Sequence, residues 1–195
     1  MRKKLVFGLL AMVVVTMLLS FIMPAGWQAS GGSEDKYEMG WWKVWGHDSS
    51  KFCGVIRSSK KVYEPGEHGS LIQKISSQRY LGKRIKMTGF MKSRTATKAG
   101  FMLRADTDED KKPLAFENMR DRQVRGTTDW KEYSLEIDVP NNTSKITLGA
   151  YITGEGQIWF DDINIEIVGN STIAADYVKC DTSLRREPLN LNFEQ

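Results

Sequence analysis

The stretch KITLGAYITGEGQIWFDDINIEIV, residues 145–168, decides the fold class. Ile146, Leu148, Ala150 and Ile152 alternate with Thr147, Gly149 and Tyr151. Further on, Ile163, Ile165 and Ile167 alternate with Asn164 and Glu166. A period of two sends successive side chains to opposite faces, which is the pattern of a half-buried strand and not of a helix. Gly154-Glu155-Gly156 stands between the two runs as a turn signal.

The same pattern extends outward from this stretch. Tyr133, Leu135, Ile137 and Val139 share one face of residues 133–139. Ile85, Met87, Gly89 and Met91 alternate with Lys86, Thr88 and Phe90. Turn signals separate the runs: Pro65-Gly66, Gly126-Thr127-Thr128-Asp129 and Pro140-Asn141-Asn142. No apolar stretch after residue 24 has a clear helical period, and no internal repeat is visible. Short strands at regular spacing predict an all-β, antiparallel sandwich or barrel.

Two quoted stretches carry a family resemblance. GTTDWKEYSLEIDVP (126–140) followed by residues 145–168 resembles the second half of the galactose-binding-like jelly rolls of carbohydrate-binding modules. The shared features are a Trp before a strand, an extended strand ending in Pro, a Gly-containing turn and a final WFDDINIE strand. GW at 26–27, YEMG at 37–40, YLGKRIKMTGFMKS at 80–93 and LAFENMRDR at 114–122 extend the resemblance over residues 26–168. It implies a jelly roll and, less specifically, a carbohydrate ligand, because one fold hosts many functions.

One departure stands out. Such domains usually begin with a strand reading like NLDFE before the GW segment, whereas here an apolar segment takes that place. A matching string, LNLNFE (189–194), stands at the C-terminus. Either residues 188–195 supply a strand that completes the sandwich, or a second domain starts there. The first reading is favoured, since a sandwich without that strand leaves an open edge. Residues 169–187 are polar without a period and read as a linker.

The first residues bear on compartment. Arg2, Lys3 and Lys4 precede residues 5–23, LVFGLLAMVVVTMLLSFIM, which carry no charge. As a helix this run rises about 28 Å, close to the hydrocarbon thickness of a bilayer. The expectation is one N-terminal hydrophobic helix within residues 1–25, either a membrane anchor or a signal peptide. The basic cluster would keep the cytoplasmic side and everything after Pro24 would be exported. The protein is then a single-span cell-membrane protein with its domain outside, or secreted. Cys53 and Cys180 could pair in an oxidising compartment, or Cys53 could be a buried thiol.

Net charge is +4, and three of the positive charges lie in the first four residues, leaving +1 for the rest. A near-neutral domain has no electrostatic footprint for nucleic acid, and no such partner is expected. Catalytic signatures are also missing. His47 and His68 sit in Gly- and Ser-rich stretches, with no Gly-x-Ser-x-Gly and no phosphate-cradling glycine loop. A non-catalytic binding protein that requires no cofactor is the expectation.

A structural calcium is the one metal to weigh. Asp106, Asp108, Asp110 and Glu117 have EF-hand-like spacing. Lys111 occupies the place of the required Gly, however, and strands flank the run, so a charged hairpin turn is the preferred reading. The family resemblance implies a second candidate, in which Asp161 and Asp162 of the final strand share calcium with Glu194 of the FE string.

For ligand binding, Arg104 and Asp106 share a strand face by parity, and Asn118 and Arg120 share one on the next strand. Tyr151 alternates away from Leu148, Ala150 and Ile152. If these strands adjoin, all five side chains line one concave sheet, where the resemblance places a ligand. Trp41, Trp42 and Trp45 cluster in a short stretch, so at least one should be exposed as a stacking platform or, with Trp27, as a membrane-interface anchor. Trp130 and Trp159 read as core. The function expected is binding of carbohydrate or a cell-envelope polymer outside the cytoplasm. The alternative is a protein-interaction or effector-sensing module at the envelope.

Overall fold

A computed structural model describes residues 22–43, 46–59, 65–108, 112–177 and 180–194. Among the described residues nine strands follow in order: β1 Gln28–Ser30, β2 Tyr37–Trp42, β3 Cys53–Ser58, β4 His68–Ser76, β5 Lys83–Asp106, β6 Ala115–Glu117, β7 Val124–Val139, β8 Lys145–Thr153 and β9 Gln157–Asn170. The helical elements among the described residues are two single 3-10 turns, Glu34–Lys36 and His47–Ser49. The strand order is β1-β4-β8-β5-β9-β3-β2, with β6 and β7 also paired to β5. Every strand pairing is antiparallel.

Strand β5 makes this one sheet into two layers. Its first half, from Lys83 to Arg94, pairs with β9, and from Lys83 to Met91 with β7 in unbroken register. Its second half, from Lys98 to Asp106, pairs with β8. Between them the β7 register slips three times, and Thr95 takes a φ of 50°, a left-handed backbone that turns the strand. The halves then face each other across the core: a Cβ on Gly89 would stand 2.9 Å from the ring tip of Phe101. Only glycine leaves room there for the aromatic ring of the opposite layer.

The alternation read from the sequence points the way it must for burial. Ile146, Leu148, Ala150 and Ile152 of β8 are fully buried, as are Ile85, Met87 and Met91 in one half of β5 and Phe101, Leu103 and Ala105 in the other. Leu71 and Ile75 of β4, Ile56 of β3 and Phe160 of β9 close the same core. Each large side chain removed from water contributes about 1.5–3 kcal/mol.

Three expectations need revision. The N-terminal helix lies mostly outside the described residues, but its last two are not helical: Ile22 is bridged to Trp41, whose N–H donates to the Ile22 carbonyl at 3.0 Å. No helix among the described residues is long and apolar enough to cross a membrane. Residues 189–194 form no strand. Asn190 to Phe193 is a turn with positive φ of 53° and 57° at its two ends. Such φ values break the period-two backbone that the alternation of Leu189, Leu191 and Phe193 suggested. The segment packs all the same. Phe193 is buried, its ring stacks on Trp27 with centroids 5.0 Å apart, and the Trp27 indole donates to the Asn190 carbonyl. The presumed linker is partly structured as well, since β9 continues to Asn170 and Ser76 N–H donates to the Arg185 carbonyl at 2.7 Å. Cys53 and Cys180 are not joined by a disulfide. Cys53 is buried on β3, where burial and the neighbouring Asp161 push its thiol up to about 12.

Candidate functional site

The layer built from β1, β4, β8, the second half of β5 and β6 has one face in the core and one outside. Parity assigns the outside residues: His68, Ser70, Ile72 and Lys74 on β4, Thr147, Tyr151 and Thr153 on β8, and Met102 and Arg104 on β5. With Ser30, Gly31, Phe116 and Asn118 they line a pocket of about 400 Å³.

Register aligns part of this lining in a row. Lys74 lies opposite Thr147, Thr147 opposite Arg104, and Arg104 opposite Phe116, on four successive strands. The next row runs from Ile72 through Gly149 to Met102 and is apolar. Gly149 keeps that floor low, because a Cβ there would meet the Leu71 carbonyl oxygen at 2.2 Å. Phe116 is 47% exposed, an aromatic face left to solvent beside a guanidinium.

Asp106 positions Arg104: its Oδ2 accepts from Arg104 Nε at 2.9 Å, and its side chain is only 10% exposed. The guanidinium is thus anchored at one edge, and its terminal nitrogens make no bond to any described residue. Tyr151 is buried. Its hydroxyl donates to the Asn118 carbonyl at 2.8 Å and accepts from Gln123 Nε2, while burial raises its pKa. Tyr151 therefore holds the loop after β6 against the sheet and offers the pocket its ring. His68 Nδ1 lies 3.0 Å from the Gly66 carbonyl.

The pocket thus gathers Arg104, Asn118 and Tyr151 from among the residues singled out by parity, with Asp106 bonded to Arg104. It does not gather the others. Arg120 is exposed in the turn after β6. Trp41 belongs to the other layer and packs edge-on against Phe52, with centroids 4.5 Å apart. Trp42 carries the Arg57 guanidinium 5.7 Å above its ring, and Trp45 lies outside the described residues. Lys74, Phe116, Thr147, Ile72 and His68 were missed. Lys74 pairs with Thr147 and Thr147 with Arg104 across the sheet, but strand adjacency was needed to see it.

Trp130 and Trp159 are not core. They stand half-buried on the outer face of the second layer, with the Lys92 ammonium 4.9 and 5.2 Å from their rings. The period-two pattern of β5 sends Lys92 outward, and the tryptophans opposite it follow.

The calcium candidates also take other roles. Asp108 pairs with Lys145 at 2.6 Å, Asp106 with Arg104, and Asp110 lies outside the described residues. The strands that flank the run, β5 and β6, pair antiparallel. Glu194 Oε1 accepts from Ser50 Oγ and from the Lys51 and Phe52 N–H groups. Asp161 accepts from the His47 and Asp162 N–H groups, and Asp162 pairs with His47 Nδ1 at 2.9 Å. Burial first, and the charge of Asp162 after it, push Asp161 up to about 6. These oxygens face N–H and O–H donors rather than a shared vacancy. Among the described residues no three His, Cys, Asp or Glu side chains converge as a metal site. The residues as placed do not fit calcium.

Comparison with solved structures bears on the fold. The CBM22-1 xylan-binding domain of Xyn10C from Paenibacillus barcinonensis superposes with a TM-score of 0.53 at 12% identity, over 78% of this chain and 92% of that one. The C-terminal family 22 carbohydrate binding module of Clostridium thermocellum Xyn10B gives 0.52 at 8% identity, over 75% and 88%. The fold is a jelly roll like that of these two domains. The enzymatically active domain of bacteriophage CBA120 tailspike protein 4 also matches, at 0.54 and 13% identity, over 74% of this chain and 20% of that one. No family model matches the sequence. The chain is 34% identical over 171 residues to the uncharacterized HTH-type transcriptional regulator YbfP of Bacillus subtilis, covering 87% of this chain. It spans 57% of that relative's length.

Proposed function

We propose that this chain binds carbohydrate without catalysing its conversion, in the pocket across β1, β4, β8, β5 and β6. One observation carries the reading: a polar row, Lys74, Thr147 and Arg104, ends on the exposed ring of Phe116 above an apolar floor. A sugar presents an apolar C–H face and a rim of hydroxyls, and this lining offers a partner for each. The fold supports the reading, as does the xylan-binding description of the Paenibacillus domain. Among the described residues the pocket lining holds no Asp or Glu, and so no pair of carboxyl groups across a cleft. The test is affinity electrophoresis against a panel of soluble polysaccharides. Retardation by at least one, abolished in Phe116→Ala, is the expected result; no retardation by any would end the reading.

A second reading is favoured by the relative YbfP. In it the same pocket senses a small sugar or other effector for a transcriptional regulator. No α-helix lies among the described residues, so they form no helix-turn-helix. Short oligosaccharides binding as tightly as polymers would favour sensing; affinity rising with chain length would favour polymer binding. Export to the cell surface is part of the first reading and rests on Arg2–Lys4 and residues 5–23 alone. Protease accessibility of the domain on intact cells tests it.

A further inference from the structure

Two permanent cations line the pocket, Lys74 and Arg104, and no carboxylate does so among the described residues. They occupy one row with Thr147 between them, so their Cα atoms are two strand spacings apart, about 10 Å. Both side chains project from the same face toward the space above Thr147. The Thr147 hydroxyl is 3.5 Å from Asp106 Oδ2, which gives it a bond on the side of Arg104.

The acidic partner present is Asp106, which takes Arg104 through Nε from the edge of the row. Lys74 is exposed and makes no ion pair with a described residue. One formal positive charge is therefore uncompensated along the row. The other carboxylates on neighbouring elements are engaged elsewhere: Glu67 with Lys36, Glu117 with Arg122 and Asp108 with Lys145. A neutral sugar leaves that charge unanswered. A carboxylate balances it and can receive two parallel bonds from the free end of the guanidinium. A phosphomonoester brings nearly two negative charges and overshoots.

We infer that the pocket selects an acidic sugar, a uronic acid residue of a glycan. Its carboxylate lies between Lys74 and Arg104, and its ring packs against Phe116. This inference rests on the reading of the pocket as a carbohydrate site and specifies the ligand's chemical class.

Polygalacturonate and alginate are titrated into the protein beside the same polymers after carboxyl reduction, with dextran sulfate as a sulfated control. The native uronates should bind about tenfold or more tightly than their reduced forms, as expected for hydrogen bonds to a charged group. That preference should shrink between low and physiological salt. Lys74→Gln, an exposed position that does not threaten folding, should lower affinity for the uronates several-fold more than for the reduced polymers. Arg104→Lys should do the same while keeping a cation beside Asp106. Equal binding of native and reduced polymers overturns the acidic-sugar inference and leaves the carbohydrate reading standing. Binding of dextran sulfate equal to the uronates overturns the assignment to carboxylate. Binding of none of these polymers overturns the inference, and if neutral glycans fail too, the carbohydrate reading falls with it.

Discussion

Phe193 stacks on Trp27, so a turn near one end of the described chain is locked to a residue near the other, 5.0 Å between ring centroids. The Phe193 ring also meets Phe160 of β9 edge-on at 5.3 Å. It fills space beside Gly54, where a Cβ would sit 2.7 Å from its tip. Phe193→Ala should therefore cost about 3–5 kcal/mol, the usual range for emptying a buried aromatic site. Urea unfolding would show it as a lower midpoint with an unchanged slope. An unaltered midpoint would mean that the terminal turn does not close the core.

Ligand binding should depend on Phe116 and not on Trp41 or Trp42. Phe116→Ala removes a half-exposed ring and should weaken glycan binding tenfold or more, since loss of a stacking aromatic is worth about 1–3 kcal/mol. Its melting temperature should stay within a degree or two of the parent. Trp42→Ala and Arg120→Ala, at positions outside the pocket, should bind like the parent. Calorimetric titration of the three variants with one glycan decides between the sheet pocket and the β2 tryptophans.

Asp161 should leave a signature in the pH dependence of stability. Its carboxyl is pushed from 3.8 up to about 6 in the folded protein, chiefly by burial. Between those values the folded state holds a proton that the unfolded chain has released. The contribution of Asp161 to stability is therefore greatest below about pH 4, declines as pH rises toward 6 and levels off above it. Glu194 and Asp138, held below their usual range by hydrogen bonds, act in the opposite direction. Urea midpoints at pH 4.5 and 7 for the parent and for Asp161→Asn isolate the effect. The variant should lack the decline that Asp161 causes in the parent. Identical pH slopes would count against the buried acid.

Calcium should have little influence. Glu194 and Asp161 are bonded to the N–H groups of the 46–52 loop, which a cation would have to displace. Thermal melts with millimolar calcium and with excess chelator should coincide. A calcium-dependent rise of several degrees would show that the loop rearranges to bind the ion.

The alternation in residues 85–91, 133–139 and 146–152 was enough to specify strands and the core side of each, because a period of two is a local property of extended backbone. It did not hold to the end of β9, where Ile167, placed with Ile163 by parity, is exposed. It was also enough to place Arg104 and Tyr151 away from the core. Which strands adjoin was not local. Only the bend of β5 at Thr95 shows that β4, β8 and β6 complete the sheet around Arg104, and only that adjacency brings Lys74 and Phe116 into its row. The same limit explains the misread tryptophans. Large aromatic residues in a strand pattern suggest burial, yet Trp130 and Trp159 flank Lys92 on an outer face, and no pattern within either strand encodes that neighbour. Nor could alternation reveal that Asn190 and Phe193 take positive φ, since identical residue spacing serves a strand or a turn until packing against Trp27 chooses. Composition and period therefore determined the elements and their buried faces. Strand order, and with it the pocket and its charge, was decided by long-range pairing, whose energy no single segment contains.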